Sequence, residues 1–273
     1  MKFSKVYAAY FSATGTTEKM VNAIAAKLAD KFGVAVEKFD FTLPGVRKEV
    51  KEFESDALVV FGTPVIAGRV PNVLLKYLAT IKSNGAVAVP VVLYGNRNFD
   101  DALIELRDIL ETAGLKPAAA AAFIGEHSFS KILAANRPDA QDMAVADEFA
   151  EKVAKKLAAI DEVTEIIAVD GVEKPYRGYY QPRDRKGNPV NILKVKPLTN
   201  DNCVSCGLCA SVCPMGSINP ENFKEVTGIC IKCCACVKKC PMGAKYYEDG
   251  GYLYHKTELE EGYARRAEPA LFI

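Results

Sequence analysis

The first 160 residues alternate short apolar runs with amphipathic stretches, which predicts strands alternating with helices. Five apolar runs have the length of strands: residues 5–10, 34–39, 57–62, 86–94 and 116–124. Helical patterns cover residues 17–31, 71–82, 100–113 and 139–160, and a shorter helix is expected over 46–54. This alternation favours an α/β fold with a doubly wound parallel sheet of five strands, covered on both faces. Such a sheet binds ligands where the strand order reverses, between the first and third strands.

The composition changes after residue 160. Residues 161–197 contain the stretch Y-R-G-Y-Y-Q-P-R-D-R-K-G-N-P, in which aromatic and basic residues are interleaved. Flexible linkers are rich in Gly and Ser, whereas Tyr176, Tyr179 and Tyr180 offer apolar area that favours packing on a domain. We therefore expect a first domain over 1–160, a wrapping linker over 161–197, and a second domain with a C-terminal tail over 198–273. A solvated linker, or a basic patch for an acidic partner, is the alternative for the middle part.

All nine cysteines follow residue 200, and they form two runs of the same spacing. The runs read C-V-S-C-G-L-C-A-S-V-C-P-M-G and C-I-K-C-C-A-C-V-K-K-C-P-M-G. Both contain C-x2-C-x2-C-x3-C-P, the spacing whose thiolates hold [4Fe-4S] clusters, which indicates one-electron transfer. The fourth cysteine of each run ligates the other cluster. The predicted ligands are therefore Cys203, Cys206, Cys209 and Cys240 for the first cluster, and Cys230, Cys233, Cys236 and Cys213 for the second.

Two other uses of cysteine fit this pattern less well. A disulfide scaffold is typical of secreted chains, and zinc sites take their ligands in pairs rather than in two runs of four. The ninth cysteine, Cys234, stands where the first run has Gly207, so a small side chain packed near a cluster is expected there rather than a ligand.

Charge and hydropathy restrict the location and the partners of the chain. The formal net charge is +1, which gives no indication of a nucleic-acid partner. The opening M-K-F-S-K-V lacks the apolar core of a secretion signal, and no apolar stretch reaches the length of a membrane span. We therefore expect a cytoplasmic protein without a membrane span, and a homodimer is left open.

The loop after the first predicted strand, F-S-A-T-G-T-T-E, leads directly into a helix. Its hydroxyl groups can donate to phosphate oxygens, Gly15 permits a tight turn, and a helix N-terminus favours an anion. An ordinary Ser/Thr-rich helix cap is the alternative. The position at the carboxyl end of the first strand favours the phosphate of a nucleotide-like ligand.

At these residues the chain resembles the flavodoxins, whose S/T-x-T-G-x-T loop binds the terminal phosphate of FMN. The resemblance covers residues 1–160 and implies a sheet of strand order 2-1-3-4-5. The segments G-T-P-V-I-A-G-R-V-P and Y-G-N-R-N-F-D-D-A-L are similar to the two loops that border the flavin ring. The implied FMN contacts are Ser12, Ala13, Thr14, Gly15, Thr16, Thr17, Thr63, Pro64, Val65, Ile66, Ala67, Gly68, Gly95, Asn96, Arg97, Asn98 and Phe99.

Residues 198–250 resemble the bacterial two-cluster ferredoxins, which are small α+β domains. All the ligand positions are present, and so are the two prolines that follow the fourth cysteines, Pro214 and Pro241. Together the two parts of the chain resemble the flavodoxin–ferredoxin fusion proteins of anaerobic bacteria and archaea. That resemblance implies one FMN and two [4Fe-4S] clusters as cofactors.

A flavin exchanges two electrons, whereas each cluster carries one, so the combination predicts a two-electron to one-electron converter. Electrons would pass between FMN and the clusters, to or from a redox partner protein. The alternative is an oxidoreductase that reduces a quinone or another small acceptor at the flavin, since the chain has no tryptophan to cover the ring. No catalytic residue is assigned. Arg97 could stabilise a reduced flavin or lie in solvent, and His127 could approach the flavin or make a structural hydrogen bond.

Overall fold

The computed structural model describes residues 1–273 of the chain. Its strands are β1 Lys5–Tyr10, β2 Ala35–Asp40, β3 Glu52–Phe53, β4 Ala57–Pro64, β5 Lys82–Ser83, β6 Val87–Tyr94, β7 Lys116–Pro117, β8 Ala120–Ile124, β9 Leu198–Thr199, β10 Lys245–Tyr246 and β11 Ala270–Phe272. Its α-helices are α1 Thr16–Phe32, α2 Asn72–Leu78, α3 Ala102–Thr112, α4 Ala140–Ala158, α5 Leu208–Ser211, α6 Ala235–Lys238 and α7 Gly250–Gly262.

The main sheet has the order β11-β8-β6-β4-β1-β2, and β7 pairs with β6. The five long strands run parallel, and their spatial order is the expected 2-1-3-4-5. This confirms the flavodoxin-like α/β fold. The order reverses between β1 and β4, so the loops that follow these strands diverge there and leave a crevice at the carboxyl edge of the sheet.

Successive residues of each strand face opposite sides of the sheet, and each side is covered by a pair of helices. On β1, Tyr7 and Ala9 belong to the core that includes α2 and α3. Val6, Ala8 and Tyr10 belong to the core that includes α1 and α4. Every residue of β6 is buried, because the central strand of a parallel sheet has no solvent face.

Two local predictions in this domain were wrong. Residues 46–54 do not form a helix: a 3-10 turn spans Val46–Lys48 and β3 follows, pairing with β5. Here the alternation of polar and apolar residues around Phe53 determines the structure and gives a strand, because the Phe53 ring is 1% exposed and packs against Tyr7. The fifth predicted strand is broken into β7 and β8. The Ala118 N–H still donates to the Ala88 carbonyl oxygen, but Pro90 of β6 has no N–H to continue the ladder, and the pairing resumes with the register shifted by one residue.

The chain ends in the sheet in which it begins. Residues Ala270–Phe272 pair antiparallel with β8, so an expected five-stranded sheet gains a strand from the segment that was expected to form the second domain and its tail. Without this strand, β8 would present an open edge of unpaired N–H and C=O groups. The last residues therefore tie the cysteine-rich part of the chain to the first domain.

Residues 161–197 follow the surface of the first domain and are held at its polar groups. The Ile167 N–H donates to the carbonyl oxygen of Pro117 at 3.0 Å. The Asp101 carboxylate is completely buried and accepts from the N–H groups of Val172 and Arg177 at 2.9 and 2.8 Å. The Arg177 guanidinium lowers the pKa of Asp101 to about 2, so this contact is complete above the ordinary carboxyl pKa and is lost only as the pH falls through about 2.

The cysteine-rich lobe, which we define as residues 198–262, repeats its backbone conformation as well as its sequence. Left-handed residues occur at matching positions of the two runs: Ser205 and Lys232, Gly207 and Cys234, Gly216 and Gly243. Short helices α5 and α6 start directly after the second of these pairs, and β9 pairs antiparallel with β10. No helix in the structure combines the length and the apolar character that a membrane span requires.

Replacing the buried carboxylate that holds the linker should loosen it. We expect Asp101→Asn to speed trypsin cleavage after Arg177 about tenfold. Hydrogen bonds to charged groups contribute about 1.5–3 kcal/mol to stability. Because the Arg177 side chain is 56% exposed, the lower end of this energy range applies, and it corresponds to about a tenfold change in the open population. The measurement is the initial cleavage rate followed by mass spectrometry. Asp170→Asn, at an exposed carboxylate in the same segment, is the control and should cleave as the unaltered protein does. Equal rates for all three proteins would contradict the role given to Asp101.

Candidate functional site

Four of the predicted ligands surround one cavity. Cys203, Cys206, Cys209 and Cys240 line a space of about 340 Å³, whose other walls are largely apolar. The first three cysteines come from one run and the fourth from the other, so the two runs meet here. Four thiols around a largely apolar space fit a [4Fe-4S] cluster, whose ligands are four cysteine thiolates.

The other four predicted ligands surround a second cavity. Cys213, Cys230, Cys233 and Cys236 line a space of about 360 Å³ together with the Tyr247 ring and several aliphatic side chains. Three of these four predicted ligands come from one run and the fourth from the other. The residues present therefore fit a second cluster, and each would join both runs of the lobe.

The fourth cysteine of each run has the same hydrogen bond. The Ser217 N–H donates to Cys213 Sγ at 3.4 Å, and the Ala244 N–H donates to Cys240 Sγ at 3.3 Å. Each donor lies four residues after its acceptor. Hydrogen bonds to sulfur stabilise a thiolate ligand and influence the reduction potential of a bound cluster.

The two cavities differ in their exposure to solvent. Cys206 of the first is exposed, whereas Cys236 of the second is buried. Burial raises the pKa of the Cys233 thiol to about 12. In the metal-free chain this thiol is therefore protonated, and binding of iron must release its proton.

The ninth cysteine, Cys234, also lines the second cavity, and its sulfur has contacts of its own. Its Sγ donates to the Lys232 carbonyl oxygen at 3.4 Å and lies 3.4 Å from the Tyr252 hydroxyl. Burial raises its pKa to about 11, so the thiol is neutral. The left-handed backbone at this position, with φ of 58°, matches that of Gly207 in the first run.

The loop between β1 and α1 presents unpaired backbone donors. The N–H groups of residues 13–17 form no hydrogen bond within the chain. On either side the loop is fixed: the Ser12 N–H donates to Thr42 Oγ1 at 2.8 Å, and Ser12 Oγ accepts from the Glu18 N–H at 3.0 Å. Gly15 has φ of 97° and open space around it. Consecutive free N–H groups at the start of a 17-residue helix fit a phosphate group.

The loop after β4 contributes a buried hydroxyl and a rigid turn. Thr63 is completely buried, and its Oγ1 has no hydrogen-bond partner, so a polar ligand atom would satisfy it. Residues Ile66 and Arg69 exchange both backbone hydrogen bonds across a two-residue turn at Ala67 and Gly68, whose φ values are positive. The buried Glu105 carboxylate accepts from the Arg69 guanidinium at 2.8 and 2.6 Å and holds this turn in place.

The loop after β6 is held by residues far away in the sequence. The Asn96 side chain is 2% exposed and donates to the carbonyl oxygens of Tyr263 and Arg265. Arg97 does not lie in solvent: it pairs with Asp100 and lies 4.3 Å from the centre of the Tyr180 ring. The side chains of this loop are thus engaged within the protein, and its backbone groups are what it can offer a ligand.

An aromatic series connects this loop with the second cavity. The His127 ring lies against Gly95 and packs edge-on to Phe129, with ring centres 5.2 Å apart. Phe129 contacts Tyr252 at 4.7 Å, and Tyr252 stacks on Tyr247 at 4.2 Å. Loss of water around the His127 ring lowers its pKa to about 3, so it is neutral, and its Nδ1 accepts from the Phe129 N–H at 3.1 Å. This histidine therefore makes the structural hydrogen bond that was one of its two expected roles.

The cysteine-rich lobe docks on the carboxyl edge of the sheet at two charged side chains. The Lys238 ammonium pairs with Glu126 and donates to the carbonyl oxygens of His127 and Ser130 at 2.8 and 3.0 Å. On the opposite side, the Arg47 guanidinium donates to the carbonyl oxygens of Phe41 and Pro214. Between these contacts, Ala235 is buried in the core of the first domain, and Cys233 packs against that core.

Sequence reasoning did not identify these docking residues. Lys238 stands in V-K-K-C next to Lys239, and only Lys239 is exposed. Nothing in the local pattern distinguishes the two. The apolar ending A-L-F-I, in contrast, is a signal from which the last strand could have been predicted.

Comparison with known proteins supports the iron–sulfur part of the site. A family model described as "4Fe-4S binding domain" matches residues 197–219. No curated protein sequence matches the chain. Together with the strand order, the match shows that a flavodoxin-like domain is joined here to a ferredoxin-type 4Fe-4S segment.

Solved structures similar to this chain include flavodoxins. A flavodoxin from the domain Archaea is 16% identical, with a TM-score of 0.40, over 56% of this chain and 99% of that one. Flavodoxin 2 from Bacillus cereus is 18% identical, with a TM-score of 0.41, over 56% and 99%. The apo form of an NADH:FMN oxidoreductase is 14% identical, with a TM-score of 0.42, over 60% and 95%. Because these scores lie below 0.5, the fold is assigned from the strand order and not from these likenesses.

Replacing a predicted cluster ligand and replacing the ninth cysteine should have different effects on iron binding. Cys213→Ser removes a thiol from the second cavity, so we expect the iron content of the protein, assembled anaerobically, to fall by about half. Cys234→Ser, the matched control, should leave iron content and visible absorbance unchanged, because that sulfur contacts Lys232 and Tyr252 instead. Loss of iron from Cys234→Ser would show that the ligand assignment is wrong.

Proposed function

We propose that this chain is an electron-transfer protein that relays electrons between FMN and two [4Fe-4S] clusters, to or from a redox partner protein. The observation that carries the proposal is that the cysteine-rich lobe docks onto the carboxyl edge of the sheet with its second cavity toward the first domain. The loop between β1 and α1, which we call the phosphate-type loop, lies at the same edge. So do the loops after β4 and β6, which we call the ring-type loops. Bound FMN would exchange two electrons, whereas each cluster would carry one.

The chain's own residues would hold FMN by backbone groups. The free N–H groups of residues 13–17 suit its phosphate, and the unpaired hydroxyl of Thr63 suits a polar edge of its ring. The loop 95–99 offers further backbone donors, since the N–H groups of Asn96, Asn98 and Phe99 have no acceptor in the chain. These observations support FMN rather than a ligand without a phosphate group.

The second cavity lies against the first domain, which supports the proposal that its cluster is the one nearer to the flavin. Cys233 packs against the core of the first domain, and Cys213 is followed by Pro214, whose carbonyl oxygen accepts from Arg47. The first cavity lies outward, with Cys206 exposed and Val204 61% exposed. Electrons would therefore enter or leave the protein at the first cavity.

The contacts around the ring-type loops favour an electron carrier over a reductase of small acceptors. The Tyr180 N–H donates to the Ala67 carbonyl oxygen at 2.8 Å, and its ring lies under Arg97. His127 lies against Gly95, and residues 263–267 lie against Asn96. Because the linker and the lobe lie against these loops, a flavin bound there would have less of its ring open to a quinone or a similar acceptor.

An anaerobic absorbance titration tests the proposal. The protein is assembled with iron, sulfide and FMN, then NADH or NADPH is added, followed by dithionite. We expect nicotinamide alone to leave the spectrum unchanged, dithionite to bleach the flavin and cluster bands with an uptake of about four electrons, and an oxidant to restore them.

Two other results would contradict it. Bleaching by nicotinamide alone would identify a self-sufficient reductase, the alternative function. Clusters that bind but cannot be reduced reversibly would indicate that they only stabilise the fold.

Loosening the docked lobe should slow transfer between the flavin and the clusters. We expect Lys238→Met to reduce this rate about tenfold, because losing a charge-assisted hydrogen bond costs about 1.5–3 kcal/mol and transfer depends steeply on distance. The rate is measured as cluster absorbance after flash reduction of the flavin, in samples of equal iron and FMN content. Lys239→Met, at the exposed neighbour, is the control and should transfer normally. An unchanged rate in Lys238→Met would mean that this contact does not determine the transfer distance.

A further inference from the structure

The loop after β6 is anchored by a single buried amide side chain. Asn96 has a left-handed backbone, with φ of 67°. Its Nδ2 donates to the carbonyl oxygens of Tyr263 and Arg265, each at 2.6 Å, and its Oδ1 accepts from the Ala267 N–H at 3.3 Å. These bonds join the loop to residues 263–267, which we call the C-terminal bridge.

The C-terminal bridge is itself fixed to the first domain. It continues into β11, which pairs with β8 in register from Ala270 to Phe272. The carbonyl oxygen of Ala267 accepts from Arg137 Nη1 at 2.8 Å, and Arg137 forms a buried ion pair with Asp142. Because both partners of that pair have side chains at most 4% exposed, the bridge rests on a part of the molecule that does not move freely.

At its other end the C-terminal bridge joins the cysteine-rich lobe. It follows directly on α7, whose Tyr252 and His255 are buried. The Tyr252 ring stacks on Tyr247, which lines the second cavity. The loop after β6 is thus connected through ten or so residues of chain, and through packed rings, to the site of the second cluster.

We propose that the C-terminal bridge is a structural part of the flavin site and that Asn96 is the positioning residue through which it acts. With its side chain held by the bridge, Asn96 keeps the free N–H groups of residues 96, 98 and 99 oriented for the flavin ring. FMN affinity then depends on a segment that lies beyond the cysteine-rich lobe. The inference rests on the proposed function, since it takes these loops to bind FMN.

Asn96→Asp in the full chain with assembled clusters tests the proposal. Aspartate has the same shape and tolerates the left-handed backbone, but it replaces two donors by an oxygen that faces two carbonyl oxygens. We expect the dissociation constant of FMN, measured by quenching of flavin fluorescence, to rise at least tenfold, or about 1.4 kcal/mol.

Two further ligands separate positioning of the ring from a general loss of structure. Riboflavin, which has the ring without the phosphate, should weaken by the same factor as FMN. Inorganic phosphate, which competes with FMN through residues 13–17 only, should keep its inhibition constant. Iron content and circular dichroism should match those of the unaltered protein.

Asn136→Asp is the matched control, because it makes the same change at an exposed asparagine that also has a left-handed backbone, with φ of 63°, and lies outside the loops proposed to bind FMN. It should bind FMN as the unaltered protein does. If Asn96→Asp loses iron or misfolds, Asn96→Gly provides the test, since glycine keeps the left-handed backbone without adding a charge.

The outcomes distinguish this inference from the proposed function. If the unaltered protein binds FMN and Asn96→Asp binds it within twofold of Asn136→Asp, the C-terminal bridge has no role and the inference is overturned. A weakened phosphate competition would also overturn it, because the effect would then extend beyond the ring. If the unaltered protein binds no FMN at all, the proposed function fails and this inference fails with it.

Discussion

The Lys238 ammonium group, with its three acceptors on the segment after β8, determines how the cysteine-rich lobe meets the sheet. Its side chain is 17% exposed, so the charge needs the Glu126 carboxylate and two carbonyl oxygens in place of water. A rigid-body shift of the lobe would leave that charge without partners. Arg47 restrains the opposite side in the same way through the carbonyl oxygen of Pro214. Two cationic contacts and the buried Ala235 between them thereby fix which cavity lies next to the first domain.

This docking makes two similar sites chemically different. The two cysteine runs share their spacing, their left-handed residues and the N–H bond to the fourth sulfur, so the isolated lobe has near twofold repetition. Docking packs Ala235 and Cys233 against the first domain, whereas Cys206 remains exposed. The Tyr247 hydroxyl, 3.5 Å from Cys230 Sγ, is a further difference. Since solvent access and hydrogen bonds to sulfur influence cluster potentials, two clusters bound here would have unequal potentials.

Periodicity in the sequence reports which face of an element is buried, but not what covers it. The five parallel strands were predictable for that reason, whereas their order was implied by the resemblance to flavodoxins and the two cysteine sites were indicated by the spacing of the cysteines. The helix expected over residues 46–54 was wrong because the charged residues of this segment favour a helix, whereas the single buried ring of Phe53 favours a strand. The last strand depends on the open edge of β8, more than a hundred residues earlier in the chain. Asn96 and Lys238 are indistinguishable from their neighbours Asn98 and Lys239 until the C-terminal bridge and the loop at Glu126 are in place.

The path of the chain explains why the lobe and the first domain act as one unit. Residues 161–197 lead from α4 to the lobe and are held at the buried Asp101, and the C-terminal bridge returns from the lobe to β8. With covalent connections on two sides, the lobe remains at a high effective concentration beside the sheet even when its docking contacts open. The protein's own lobe therefore occupies part of the carboxyl edge of the sheet. In the proposed relay, the partner would approach the exposed rim of the first cavity, around Val204 and Cys206.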